Sequence, residues 1–231
     1  MNASRTARER ARAELVAEIT AAARRQLAET GAAALSMRAV SREIGMVSSA
    51  LHRYFPTRDD LLTALIVQSY DALGDAVEAA AGAADPADPA ARWRAVTGAV
   101  RGWALAHPHE YALLYGSPVP GYRAPADTVT PAGRVIAPMI AVLGDAHAAG
   151  LLDVPDGPAP SAADVAGLQG ALDGARDLPG PALAAAVTAW TGLFGHVSFE
   201  LFGQFDNAIA DRDAMFDATV TRLGRLAGLP C

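Results

Sequence analysis

The chain has 231 residues, 52% of them hydrophobic and 19% charged, with a formal net charge of −6. That length fits one large domain, or a small one joined to a larger, and buries roughly 70% of its surface without covalent staples. The one cysteine, Cys231, excludes a disulfide framework and a cysteine metal site. No apolar run approaches the roughly 18–20 residues of a membrane span. The opening MNASRTARERARAE is charged where a secretory signal is apolar, so a cytoplasmic chain with no membrane partner is expected.

The charges are unevenly placed. Residues 1–58 hold ten arginines against five acids, and residues 59–231 hold nine arginines against twenty acids. A basic end on an acidic body is the asymmetry of a nucleic-acid-binding segment joined to something else. Every cation is arginine, which a GC-rich genome explains by itself.

Taken in chain order, the sequence reads as helix throughout. Over 9–30, Leu15, Ile19, Ala22, Ala23 and Leu27 recur at helical spacing, and Gly31 is a stop. Ser36 is placed to cap a short helix over 37–44, and Gly45 ends it. A second short helix starts at Ser48 or Ser49 and runs to Tyr54, where Phe55-Pro56 closes it. Thr57-Arg58-Asp59-Asp60 has the form of a capping box opening a helix over 58–80. Further helices are expected over 92–106, 110–115, 132–149 (with Pro138 inside), 164–176, 182–205 and 212–226, with loops at 117–131 and 150–163. No segment alternates as a strand does, so the fold class is all-α.

Residues 36–54 have the grammar of a helix-turn-helix. Val40, Ile44, Ala50 and Leu51 supply inner faces, Gly45 lets the helices cross, and Ser48, Ser49, His52, Arg53 and Tyr54 lie on the outer face. A helix of this size fits the major groove of B-DNA. The run LSMRAVSREIGMVSSALHRYFPTRDDLLTAL (35–65) resembles the DNA-binding signature of the tetracycline-repressor (TetR) family. Gly45, Ala50, Leu51, Phe55, Pro56, Thr57, Arg58, Asp59 and Leu61 occupy the matching places. His52 stands where that family usually has Tyr, Tyr54 where it often has His, and Val47 where Ser or Thr is common, so Ser48 is expected to cap instead. WTGLFGHVSFELFGQF (190–205) is similar to the Trp/His/Gly-bearing C-terminal domain of one subgroup.

The resemblance implies a helix-turn-helix domain over 1–57 and a helical ligand-binding and dimerisation domain over 58–231. It implies a homodimeric repressor, released from a palindromic DNA operator by a small, largely apolar effector. Candidate DNA contacts are Arg38, Ser48, Ser49, His52, Arg53, Tyr54, Thr57 and Arg58, with Arg53 best placed to read a guanine. Arg5, Arg8, Arg10 and Arg12 are either an arm reaching the duplex or a solvated tail. Candidate effector residues are Trp103, His107, Tyr111, Tyr115, Met139, His147 and Trp190, which mix apolar bulk with polar tips. The penultimate helix is apolar nearly all round, so Phe194, Val197, Phe199, Leu201 and Phe202, with Phe216 and Val220 on the last helix, are the expected dimer interface. Gly192, Gly195 and Gly203 are expected where helices approach closely.

His196 and Glu200 give two potential metal ligands without a third, so neither a metal nor another cofactor is expected. HExxH, GxSxG and phosphate-binding glycine loops are absent, which leaves little for the rival reading, an enzyme or ligand carrier with a vestigial DNA-binding end. A transcriptional activator of the same fold is the other alternative.

Overall fold

The computed structural model describes residues 2–231, apart from the side chains of residues 2–6 and 173. Among the described residues every regular element is helical. The chain forms two compact units, one made of residues up to Ser69 with His109–Thr128, the other of Tyr70–Pro108 with Val129–Cys231.

The first unit is built on helix α1 (Asn2–Thr30). Ile19, Ala22 and Ala23 are wholly buried, as the helical spacing requires. Ser36 Oγ accepts from the Ala39 N–H at 3.4 Å and so caps α2 (Met37–Glu43). Gly45 then turns the chain with φ +66°, a conformation side-chain-bearing residues rarely adopt. Helix α3 is a single turn, Ser48–Leu51, where the sequence led us to expect helix to Tyr54; residues 52–54 form turns instead. Its cap is Val47, with no side-chain hydrogen bond, so Ser48 lies inside the helix and does not cap it. Helix α4 (Arg58–Ala83) opens with the expected capping box: the Thr57 N–H donates to Asp60 Oδ2 at 2.9 Å and the Asp60 N–H to Thr57 Oγ1 at 3.1 Å. Such a cap stabilises a helix by about 1 kcal/mol.

Packing places the end of this unit differently from the expected boundary at 57/58. Leu61, Leu62 and Leu65 of α4 close the same core as Ile19, Val40 and Leu51. Helix α6 (Pro108–Tyr115) joins the unit through Glu110, whose carboxylate accepts from Arg24 Nε at 3.2 Å and Ser69 Oγ at 3.0 Å. Arg24 also donates to Gln68 Oε1 at 2.7 Å, tying α1, α4 and α6 together.

The second unit packs α5 (Pro89–Ala106), α7 (Val129–Ala148), α8 (Ala162–Ala171), α9 (Gly180–Leu201) and α10 (Arg212–Leu226) with the last part of α4. Asp88 and Asp211 cap α5 and α10. Helix α7 begins at Val129, inside the expected loop, and passes through Pro138. Trp93, Val96 and Val100 of α5 are buried with Val142 and Leu143 of α7, Leu193 and Val197 of α9, and Val220 of α10. The Trp93 indole N–H donates to the Val220 carbonyl at 2.8 Å.

Helix α9 ends at Leu201, short of the expected 205, and Gly203 (φ +81°) lies in the turn beyond it and not in a helix interior. At Gly192 an added Cβ would come within 2.8 Å of Leu223, so this glycine does permit α9 and α10 to approach; at Gly195 there is open space. The expected dimer set divides accordingly. Phe194, Val197, Phe216 and Val220 are buried within a single chain, because they hold α9 to α10, and they cannot form an outer face. Phe199 and Phe202 are 53% and 43% exposed, and Leu201 is half-buried.

Segments Ala126–Ala148 and Gly180–Leu201 correct one expectation: both are long and apolar enough to span a membrane on length and composition alone. Their apolar character is spread over alanine and glycine and forms no unbroken run of large apolar residues. Both helices contribute to the core of the second unit.

A buried charge pair crosses this core. Arg101 donates to Glu200 through Nε at 2.8 Å and Nη2 at 2.7 Å, and lies 2.7 Å from Asp213. Hydrogen bonding to Glu200, ahead of that to Asp213, holds the guanidinium above its ordinary pKa. His196, one turn before Glu200, meets the edges of Phe205 and Phe216 with centroids 5.0 and 5.5 Å apart. Burial pushes its imidazole below the ordinary value, against the pull of Glu200 and with the push of Arg101. The folded chain therefore binds a proton here less readily than the unfolded chain. Stability falls as pH drops through about 6.5, where the unfolded imidazole charges first. Urea midpoints measured from about pH 7.5 to 5 will fall less steeply for His196→Phe, which keeps the ring contacts, than for the parent.

Candidate nucleic-acid interface and the helical unit beside it in sequence

The first unit presents a small set of polar groups around α3. Arg38, Ser49, His52 and Arg53 are exposed and Ser48 is half-buried. Among the described residues nothing pairs with the guanidinium of Arg38 or Arg53. His52 Nδ1 is 2.9 Å from the Pro56 carbonyl oxygen. A carbonyl only accepts, so Nδ1 carries the hydrogen; Nε2 is then an acceptor in the neutral ring and a donor once the ring is protonated. Leu51, wholly buried on the opposite side of the turn, fixes which way these groups face.

Three expected contacts have other work. Arg58 donates from Nε to the Leu35 carbonyl at 3.1 Å and from Nη2 to those of Ala32 and Ala33 at 2.8 and 3.0 Å. It fastens the start of α4 to the turn between α1 and α2, and is a positioning residue. The Thr57 hydroxyl is engaged with Asp60 at 2.7 Å inside the capping box. Tyr54 packs partly into the head's core, with the Arg12 guanidinium 5.1 Å above its ring. Sequence reasoning missed Arg42, exposed on α2 four residues from Arg38 and so on the same face, a spacing that was legible.

The seven residues expected to line one effector pocket are divided between the two units. Tyr111 and Tyr115 belong to the first unit, where their rings lie 5.1 Å apart; the other five belong to the second. Trp103 and Met139 are closed into the core, and His107 is exposed, stacked on Trp103 at 5.0 Å. Trp190 is half-buried against Phe194. His147 lines a recess of about 470 Å³ with Gly144, Asp145, Gly174 and Asp177. A second, more apolar recess of about 680 Å³ follows α7 past Val129, Gly133, Ala137 and Pro138 to Leu172. At its edge Arg134 pairs with Asp71 at 2.9 Å, Glu78 at 2.7 Å and Asp75, a cluster with an excess of negative charge. The hydrogen bond from Arg134 pulls the Glu78 carboxyl below its ordinary value.

A one-turn helix held by α1, α2 and α4, with exposed arginines on α2 and in the turn that follows it, defines a helix-turn-helix DNA-binding regulator. Similarity to known proteins agrees. Residues 19–65 match the family model "Bacterial regulatory proteins, tetR family", and residues 93–223 match "Tetracyclin repressor-like, C-terminal domain". The HTH-type transcriptional regulators Rv1816 of Mycobacterium tuberculosis and Mb1846 of Mycobacterium bovis are each 39% identical over 223 residues, covering 92% of either chain. The crystal structure of the regulatory protein SCO4313 superposes with a TM-score of 0.74 at 39% identity, over 93% of this chain and 97% of that one. A Rhodococcus sp. RHA1 protein of unknown function follows at 0.68 and 27%, over 91% and 94%. The chain belongs to the TetR family of bacterial transcriptional regulators.

Arg53 and Arg58, five residues apart, are therefore expected to fail differently. Arg58→Ala removes charge-assisted bonds to three carbonyls and destabilises the fold by about 1.5 kcal/mol or more. Arg53→Ala leaves stability within about 0.5 kcal/mol and weakens DNA binding. Urea unfolding and a gel-shift titration on both variants separate the two roles.

Proposed function

We propose that the chain is a homodimeric repressor that holds a palindromic operator and releases it when a small, largely apolar molecule binds the second unit. The observation that carries this reading is the set of exposed side chains around α3: Ser49 on the helix, His52 and Arg53 in the turns after it and Arg38 on α2, with Leu51 buried on the other side of α3. Family membership supports DNA as the partner and transcription as the process, and with DNA as partner the place of work is inside the cell. The relatives are named as transcriptional regulators, which supports a regulator and not an enzyme.

For dimerisation, the outer side of α9 and α10 is the candidate interface. Val187, Phe199, Phe202, Met215 and Leu226 are exposed there, beside the open space at Gly195. A palindromic operator presents its half-sites about 34 Å apart, one turn of B-DNA, and a second copy of the chain supplies the second α3. For the effector, the recess along α7 is favoured by its apolar walls and its volume of about 680 Å³, within the range of small-molecule sites. Arg134 offers no free charge to an anion, since three carboxylates occupy it, so an uncharged effector fits better than an acid. An activator would use the same contacts at an operator placed differently relative to the promoter.

The test is selection from a random-sequence duplex pool with the purified chain, then a salt-titrated shift assay on the recovered duplex. A palindromic consensus bound by two protomers, with affinity falling steeply as salt rises, is the expected outcome. No enrichment at any salt, or a non-repeating site bound by one protomer, overturns the reading. Placed in the recess, Gly133→Leu will leave duplex affinity intact while reducing release by any apolar compound that dissociates the parent complex.

A further inference from the structure

The core-facing stripe of α1 changes chemistry along its length. Leu15, Ile19, Ala22, Ala23 and Leu27 recur every three or four residues and meet the head's core. Continued towards the start of the helix at the same spacing, the stripe reaches Arg12 and then Arg8. Residues 7–14 are exposed, so α1 runs beyond the body it packs on, and where the stripe leaves the core it turns from apolar to arginine. Arg10, Glu14 and Glu18 share the opposite side. This stretch lies before residue 19, where the match to the family's DNA-binding model begins.

Arg12 shows where the basic side points. Its guanidinium lies 5.1 Å from the ring centroid of Tyr54, the residue after Arg53. Stacking uses the flat face of the guanidinium and leaves its N–H edge able to meet a phosphate. Arg8, one turn further out on the same side, has no partner among the described residues.

Resting on the DNA-binding reading, we propose that Arg8 and Arg12 form a second, sequence-independent contact to DNA: they grip backbone phosphates flanking the half-site read by α3. The rigid helix widens the footprint without adding base readout. Arginine on this face, with Glu14 and Glu18 on the other side, suits a polyanion.

The duplex recovered by selection with the parent chain is the probe, made once with full flanks and once trimmed to the consensus. Arg8→Ala and Arg10→Ala remove the same charge from opposite sides, and alanine preserves the helix. On the full duplex, Arg8→Ala will flatten log K against log salt by roughly 0.9 for each phosphate it no longer neutralises. Arg10→Ala will keep the slope of the parent, and trimming will remove the difference. Equal slopes for all three proteins on the full duplex overturn the proposal. Equal flattening by Arg8→Ala and Arg10→Ala overturns it too, since that is a diffuse charge effect. A parent chain that enriches no duplex overturns the regulator reading and this one with it.

Discussion

A recognition helix of one turn cannot stand on its own, and the head is organised around that fact. Closing the first turn of a helix is unfavourable by about 4 kcal/mol, and Ser48–Leu51 adds no further turns to recover it. Burying Leu51 completely returns roughly 2–3 kcal/mol. The remainder comes from constraints at either side: Gly45 sets the turn into α3, and the capping box fixes where the chain resumes as α4. Arg58 then anchors that start to three carbonyls. The residues that face outward read nothing unless these inward ones hold.

Arginine serves two opposite ends in this chain, and the sequence does not separate them. Ten arginines in the first 58 residues look like one basic surface. In the structure Arg24, Arg25 and Arg58 are braces, paired to Glu110 and Gln68, to Glu43, and to backbone carbonyls, while Arg38, Arg42 and Arg53 are left exposed. The same division recurs in the second unit, where Arg101 and Arg134 are wholly engaged by carboxylates. A buried pair such as Arg101–Glu200 adds little net stability, but removing one partner is expensive, so it fixes which residues of α5 and α9 face each other.

What the sequence showed follows from locality. Helical spacing, the Ser36 and Thr57 caps and the turn at Gly45 are all set within a few residues, and all stand where the spacing puts them. The role of Arg58 depends on carbonyls 23 to 26 residues away, and the grouping of α6 with the head depends on Glu110 meeting Arg24 across 86 residues. Neither separation leaves a local trace. Aromatic residues at helical spacing fill cores as readily as they line cavities, so spacing alone does not say that Trp103, Tyr111 and Met139 are buried. A helix apolar on all sides does not say which side meets its own chain, and in α9 Phe194 and Val197 are buried while Phe199 is exposed.

A reader this small also constrains how the protein is regulated. Under the proposed reading, one head offers only a few side chains to the groove, around a single helical turn. Linking two heads turns the second binding event into an intramolecular one at high effective concentration, so most of the operator affinity of the proposed dimer comes from geometry and not from added contacts. An effector then need not touch either reading surface. Moving the two heads away from one helical turn of separation withdraws the effective concentration and leaves two weak binders, while phosphate contacts that ignore sequence persist more evenly. In the proposed dimer, a recognition helix of one turn therefore favours release by re-spacing over release at the reading surface itself.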